Sequence, residues 1–208
     1  MTKVSGVGDD TITWTAAVKS SINPFWNDET EQLDFPAYVD KWCGGTIDVV
    51  YTLLTWNGLG SVIESQDFSS LVGYATTLFR HIHSNYPDVK IKMMGVQVPD
   101  CRQGMGSLGA PRENGYTDMY GLIVTALNMN KAYEDLCNEA EFSSYVEFVN
   151  VSSQVDSEYN MPFVEKDVNT RNSDYKDKVG TNDVHPSTPG YLQIADVVYR
   201  NFIAHFCQ

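Results

Sequence analysis

The sequence predicts an α/β fold in which helices cover both faces of a mainly parallel sheet. Three runs rich in β-branched and apolar residues supply the strands, at 46–56, 90–98 and 145–151. Their nearly continuous hydrophobicity is typical of strands that are covered on both faces. Each run is followed by a segment with helical periodicity, and strands that alternate with helices favour a parallel sheet.

The first two helices are predicted from apolar residues that recur at three- and four-residue spacing. The earlier helix ends before Pro87, and its stripe is Phe68, Leu71, Val72, Ala75, Leu78, Phe79 and Ile82. A glycine-rich loop through Gly115 separates the second strand from the next helix. That helix carries Met119, Leu122, Ile123, Ala126 and Leu136.

The last helix is predicted to follow a long polar stretch at 152–179. Ser187 or Thr188 is its expected cap, and Pro189 suits the first turn because proline has no N–H to lose there. The stripe expected to be buried is Tyr191, Ile194, Ala195, Val198, Phe202 and Phe206.

Size and composition indicate one globular domain over residues 1–208. Hydrophobic residues make up 42% and charged residues 20% of the chain, as in ordinary globular proteins. The formal charge of −13 excludes a nucleic-acid partner, which would need clustered Lys and Arg. No apolar run approaches the length of a membrane span. The four cysteines lack the spacing of a zinc site, and no signal peptide is visible.

Polar segments follow all three predicted strands, at 55–60, 99–115 and 152–156. Ligands of open α/β sheets bind beyond the carboxyl ends of the strands. His185 precedes the last helix and is expected to reach the same edge. It lies in a proline-flanked loop, where an imidazole can be held rigid and still be exposed, and histidine titrates near neutral pH. We therefore interpret His185 as a candidate general base.

Two short motifs together resemble the SGNH (GDSL-type) serine hydrolases, a family of esterases and lipases. The turn Thr55-Trp56-Asn57-Gly58 is similar to the family's third block, and Asp183-Val184-His185-Pro186 with Gly190-Tyr191 is similar to its fifth block. The segment Val4-Ser5-Gly6-Val7-Gly8 looks like the second block. The resemblance runs from about Thr2 to the C-terminus.

The resemblance implies a three-layer α/β/α, flavodoxin-like fold and hydrolysis of a carboxylic ester through an acyl-serine intermediate. His185 would be the general base. The Asn57 side-chain amide and the Gly6 backbone amide would donate hydrogen bonds to the oxyanion, with Gly8 as an alternative to Gly6. No metal and no organic cofactor is implied.

Two departures from the family pattern bear on catalysis. The Gly-Asp-Ser block has no counterpart, and Ser5 stands beside the second-block glycine rather than in such a turn. We therefore expect a C-terminal fragment of the full domain without its first strand, whose nucleophile comes from an upstream segment or another chain. The family's orienting acid is replaced by Asn182, so either Asp183 or Asn182 orients His185, or the base acts in a Ser-His dyad.

Other features have simpler interpretations. The GxGxxG match at 104–109 is interrupted by prolines and is interpreted as a pocket loop rather than a dinucleotide site. His81 and His83 lie two apart on a helix, face different ways and are expected to be solvated, and His205 is expected on the surface. Packing is favoured over sugar stacking for Trp56. Asp156 is interpreted as a turn residue, and Asp67, Glu113, Glu134 and Glu147 as members of solvated faces.

The sequence thus favours a serine ester hydrolase acting on a small-molecule or glycan ester, with the polar rim pointing to an acylated carbohydrate. The rival hypothesis is a catalytically inactive module of the same fold that binds glycan or has a structural role. The missing Gly-Asp-Ser block favours the module, whereas retention of Asn57 and His185 favours the enzyme. A sheet without an interior strand would also expose amides and apolar surface, so the isolated chain is expected to aggregate or oligomerise.

Overall fold

The computed structural model describes residues 25–27, 29–54, 56, 59, 62–100, 119–181 and 184–207. These residues form a mixed α/β structure, which confirms the predicted class. In chain order the elements are β1 (Trp26–Asn27), β2 (Gln32–Leu33), α1 (Phe35–Cys43), β3 (Val49–Leu53), α2 (Ser69–Asn85), β4 (Lys90–Met94), α3 (Met119–Asn138), β5 (Val146–Val149), a 3-10 helix (Ser152–Gln154), β6 (Phe163–Asn169), β7 (Asn172–Gly180) and α4 (Thr188–Phe206).

A three-stranded parallel sheet with the order β3-β4-β5 contains all three predicted strands. In the β3–β4 pair, Val49 lies opposite Lys90 and Leu53 opposite Met94. Strand β4 joins β5 at both ends: the Ile91 N–H donates to the Tyr145 carbonyl at 2.8 Å, and the Gly95 N–H donates to the Val149 carbonyl at 2.9 Å. The observed strands are shorter than the apolar runs because those runs continue into the loops.

The chain divides into two compact units. One comprises Met1–Met94 and Lys131–Phe148, and the other comprises Gly95–Asn130 and Val149–Gln208. The single domain expected over residues 1–208 stays a prediction, and each unit is described separately below.

In the first unit, both ends of α1 are fixed by residues suited to cap a helix. Asp34 caps α1 by accepting a hydrogen bond from the Ala37 N–H at 3.0 Å, and Gly44 ends the helix with a φ of 72°, a conformation that glycine adopts without strain. The predicted stripe of α2 is largely confirmed, since Leu71, Ala75, Leu78, Phe79 and Ile82 are all buried.

A buried lysine lies on the central strand of this unit. The Lys92 side chain is only 4% exposed, and its Nζ lies 2.5 Å from Glu147 Oε2 on β5. An ammonium group can be buried only if it is paired. The Glu147 side chain is 40% exposed, as a solvated face predicts, and its carboxylate also neutralises the buried Lys92.

The expectation that His81 and His83 are solvated is wrong. His81 Nε2 accepts a hydrogen bond from the Phe35 N–H at 3.1 Å, so the imidazole satisfies one of the amides that every helix N-terminus leaves unpaired. The His83 ring stacks on Tyr145 with the ring centres 3.7 Å apart. The two rings face different ways, as their spacing of two residues on a helix predicts: His81 contacts Phe35, and His83 contacts Tyr145.

The role of His81 predicts a pH-dependent stability for the first unit. Burial lowers the pKa of His81, and the nearby Asp34 charge opposes this shift only in part. The unfolded chain therefore binds a proton more readily, and stability should fall as the pH drops below about 6.5. We expect the urea midpoint to decrease from pH 7.5 to pH 5 by less in His81→Gln than in the wild type. His205→Gln, at an exposed position, is the control and should leave the pH dependence unchanged.

In the second unit, the long polar stretch at 152–179, for which no element was predicted, contains most of an antiparallel hairpin of β6 and β7. Nearly every residue of both strands is exposed, so the alternating hydrophobicity that marks a half-buried strand is absent. The two strands are instead matched by charge, since oppositely charged side chains face each other across the hairpin. The facing pairs are Glu165 with Lys178, Lys166 with Asp177, and Asp167 with Lys176.

Helix α4 begins as predicted, with Ser187 at the N-cap and Pro189 in the first turn. Its predicted buried stripe is mostly wrong. Ile194 is buried and Val198 is half-buried, whereas Tyr191, Ala195, Phe202 and Phe206 are exposed. The residues of α4 that pack are Gly190 and Ile194, and the helix contacts the 3-10 helix at 152–154, so the buried face is narrow and is rotated away from the predicted stripe.

Within the described ranges, no helix combines the length and the hydrophobicity that crossing a membrane would require.

Candidate active site

His185 lies in the short loop that leads into α4, and its side chain is exposed. The residues on either side of it are buried: Val184 is 5% exposed, and Pro186 is also buried. Two buried neighbours fix the backbone of the loop, while the imidazole between them faces outward. The imidazole is therefore accessible to a group placed beside it, while the backbone that carries it is held in position.

The loop is anchored to the segment that follows β4. The side-chain amide of Gln97 donates a hydrogen bond to the Val184 carbonyl, and Gln97 itself is 2% exposed. A hydrogen bond in a buried site is costly to lose, because the unsatisfied carbonyl would stay buried. Gln97 therefore holds the backbone one residue before His185.

The segment that carries Gln97 is in turn clamped by α3. The Val96 N–H donates to Asn130 Oδ1 at 2.6 Å, and Asn130 Nδ2 donates to the Val96 carbonyl at 2.8 Å. The Asn130 side chain thus replaces a strand neighbour at the end of β4. Neither Gln97 nor Asn130 was predicted from the sequence, because each acts on a residue far away along the chain.

The start of α4 is fixed by one carbonyl of the preceding loop. The Ser187 N–H and the Ser187 hydroxyl both donate to the Asn160 carbonyl, at 2.9 and 2.8 Å. Six residues further along the helix, Gln193 Oε1 accepts a hydrogen bond from the Asp156 N–H at 2.9 Å. These bonds tie the helix that follows His185 to the loop after β5.

Gly190 allows this loop to approach α4 closely. A Cβ placed on Gly190 would lie 2.6 Å from the Pro186 Cβ and 2.7 Å from the Asn160 carbonyl oxygen. Neither neighbour is the flexible end of a side chain. The glycine that the sequence places five residues after His185 is therefore required for packing beside the candidate base.

Replacing Gly190 with alanine should destabilise the second unit by about 1–3 kcal/mol, as overpacking of a close contact usually does. The neighbours that must move are Pro186 and the Asn160 backbone. Urea unfolding measures the effect. Gly73→Ala is the matched control, because nothing lies within 4 Å of a Cβ on that helical glycine, and we expect it to be neutral or stabilising.

The end of the β6–β7 hairpin at Gly180 contacts the segment after β4, which also contacts the His185 loop through Gln97. Asp100 is fully buried, and a Cβ on Gly180, the last residue of β7, would collide with its carboxylate. The segment at 95–100 therefore contacts both the end of the hairpin and the His185 loop. A buried carboxylate at this position was not predicted.

Several smaller expectations can be compared with the structure. Asp156 is a turn residue, as predicted, because its Oδ1 accepts hydrogen bonds from the Glu158 and Tyr159 N–H groups, both at 2.9 Å. Trp56 is 5% exposed, which confirms packing over an exposed sugar platform. His205 is exposed, as expected.

Most of the predicted catalytic constellation lies outside the described residues. This applies to Asn57, Gly6, Ser5, Asn182 and Asp183, and also to the glycine-rich match at 104–109. Their roles stay predictions, and His185 is the predicted site residue whose surroundings are described.

The first unit contains an apolar cavity of about 280 Å³. Its lining includes Phe25, Phe35, Leu78, Ile82 and residues 50–54. These side chains are apolar except for Thr52 and Tyr51, so the lining described carries no base or nucleophile pair for acyl transfer.

Comparison with known proteins gives few matches. No protein-family model matches the chain, and no curated protein matches it. A solved structure that is similar carries the provisional name platelet activating factor and comes from Streptococcus pneumonia. It is 16% identical, the alignment covers 76% of this chain and 60% of that one, and the TM-score is 0.49. This chain therefore spans less than two thirds of the length of that protein.

Proposed function

We propose that this chain belongs to a serine ester hydrolase of the SGNH type with a three-layer α/β/α domain, and that His185 is its general base. The observation that carries the proposal is the His185 loop. Its imidazole is exposed, its neighbours Val184 and Pro186 are buried, and Gln97 holds the Val184 carbonyl. Such a loop holds the imidazole in a fixed position and leaves it open to solvent, which suits proton transfer.

In the proposed reaction, His185 removes the proton of a serine hydroxyl while the serine oxygen attacks the ester carbonyl. The Asn57 side chain and the Gly6 amide donate hydrogen bonds to the oxyanion that forms. His185 then returns the proton to the leaving alcohol, and water hydrolyses the acyl-serine by the same route. Asp183 or Asn182 orients the imidazole. The substrate proposed is an acylated carbohydrate.

The sequence printed above contains no Gly-Asp-Ser block. The proposal therefore includes a nucleophilic serine on an upstream segment or on another polypeptide. The loop into α4 would place the base next to that serine, and the oxyanion donors would come from this chain.

The test uses the natural polypeptide that contains this chain. We expect it to hydrolyse p-nitrophenyl acetate and to react covalently with a serine-directed fluorophosphonate, and peptide mapping of the product identifies the serine. Both reactions should be lost in His185→Gln. A folded wild-type protein that neither hydrolyses the ester nor reacts with the probe, and yet binds oligosaccharide, would contradict the enzyme and establish the binding module instead.

A further inference from the structure

One segment contacts both ends of the connection that carries the candidate base, residues 180–185. At the later end, the Gln97 side-chain amide donates a hydrogen bond to the Val184 carbonyl. At the earlier end, the Asp100 carboxylate packs against Gly180, the last residue of β7. Gln97 and Asp100 both belong to the segment that follows β4. The two stretches of chain therefore lie side by side and run in opposite directions.

The segment after β4 is a firm support for such contacts. It has no regular secondary structure, yet five of the six residues at 95–100 are buried. An irregular segment is normally found on the surface, because its backbone groups need hydrogen-bond partners. Here Asn130 on α3 supplies partners for the Val96 N–H and carbonyl. Side chains that start from this segment are therefore fixed relative to α3.

The contact between Gly180 and Asp100 requires a glycine for reasons of space. A Cβ on Gly180 would collide with Asp100 Oδ2 and would lie 3.1 Å from Asp100 Cγ. The φ of Gly180 lies outside the left-handed region, so alanine can adopt the same backbone conformation. The Asp100 side chain, and not the local backbone, therefore demands glycine at this position.

Burial makes the Asp100 carboxylate a fixed contact for Gly180. Asp100 is 0% exposed, and a buried carboxylate is costly unless hydrogen bonds hold it in one orientation. A carboxylate held in this way moves only at a further cost, so it limits the positions open to the Gly180 backbone. Gly180 and Val184 are four residues apart. Because both are held, the backbone at His185 has little freedom to shift.

We propose that Asp100 is a positioning residue for His185. Gln97 fixes the connection at Val184, Asp100 fixes it at Gly180, and together they determine where the imidazole lies relative to the serine that it activates. A misplacement of about 1 Å in a catalytic group can cost about 100-fold in rate. The inference rests on the proposed esterase function, because the position of His185 affects a rate only if His185 is the base.

The test is a double-mutant cycle in the natural polypeptide with p-nitrophenyl acetate as the substrate. Gly180→Ala and Asp100→Ala should each lower kcat by about tenfold or more, because each disturbs the support of the base. KM should stay within about twofold, since neither residue is placed on the substrate. In the double variant the remaining Cβ at position 100 would lie 3.8 Å from the new methyl group, an ordinary contact. The double variant should therefore match Asp100→Ala within about twofold.

Leu122→Ala is the control for lost stability. Leu122 is fully buried on α3 in the same unit, so the variant should unfold at a lower urea concentration and keep kcat within about twofold. Urea curves define the conditions in which each variant is folded. If Asp100→Ala does not fold, Gly180→Ala still tests the inference, because amide hydrogen exchange at 184–187 should accelerate in that variant together with the fall in kcat.

The outcomes separate this inference from the proposed function. If the wild type hydrolyses the ester and His185→Gln does not, whereas folded Gly180→Ala and Asp100→Ala keep kcat, the esterase stands and the role of Asp100 is overturned. Losses that multiply in the double variant would also overturn it, since the two positions would then act independently. A folded wild type that is inert would contradict the esterase itself and with it the role of Asp100.

Discussion

Replacing His185 with alanine is expected to lower kcat for p-nitrophenyl acetate by about 10³-fold in the natural polypeptide. The variant removes the proton acceptor and leaves the loop in place, because Val184, Pro186 and the Ser187–Asn160 bonds remain. KM should change little, since an imidazole that acts as a base contributes mainly to the transition state. Steady-state kinetics with matched urea-unfolding curves separates loss of catalysis from loss of folding.

The control for this prediction is His205→Ala, which removes another exposed imidazole of the same unit and should keep kcat within about twofold, as surface changes away from a site do. Added imidazole offers a second check, because a small base in solution restores part of the rate only when proton transfer is the function that was lost. A folded His185→Ala variant with undiminished kcat would remove His185 from the mechanism.

The sheet and the first helices could be predicted because their signals are local. The runs at 46–56, 90–98 and 145–151 are apolar over lengths that suit strands, and the α2 stripe recurs at helical spacing. A strand buried on both faces needs a continuous apolar run, and a helix buried on one face needs an apolar stripe, whichever element packs against it. The start of α4 was predictable for the same reason, since Ser187 and Pro189 act within one turn.

The hairpin and the buried face of α4 could not be predicted in the same way. Strands β6 and β7 are exposed on both faces, so they carry no hydrophobic alternation, and their opposite-charge pairs are recognised only once the register is known. For α4, the apolar residues occupy a wider arc than the narrow buried face of the helix. Composition shows that the arc is apolar, but tertiary packing decides which part of it is buried.

The candidate site shows the same division between local and distant information. His185 could be selected from its proline-flanked loop before a helix, and the order of the motifs led to the esterase hypothesis. Its supports could not be found from the sequence, because Gln97 contacts Val184 across 87 positions and Asn130 contacts Val96 across 34. A glutamine in a strand-like run and an asparagine in a helix have many other uses.

Replacing Asn130 with alanine is expected to destabilise the second unit by about 2–5 kcal/mol. The variant removes two hydrogen bonds and leaves the Val96 N–H and carbonyl buried without their partner, and Val96 is fully buried. Each unsatisfied buried group costs about 1–3 kcal/mol. Urea unfolding at pH 7.5, followed by circular dichroism, measures the loss.

Asn138→Ala is the matched control, because Asn138 ends the same helix and is exposed, and we expect a change within about 0.5 kcal/mol. The clamp also predicts a change at a distance. Val96 adjoins Gln97, which holds the Val184 carbonyl, so amide hydrogen exchange should accelerate at 184–187 in Asn130→Ala under conditions in which the variant is still folded. If stability falls and exchange at 184–187 is unchanged, Asn130 supports the end of β4 alone and the His185 loop has another anchor.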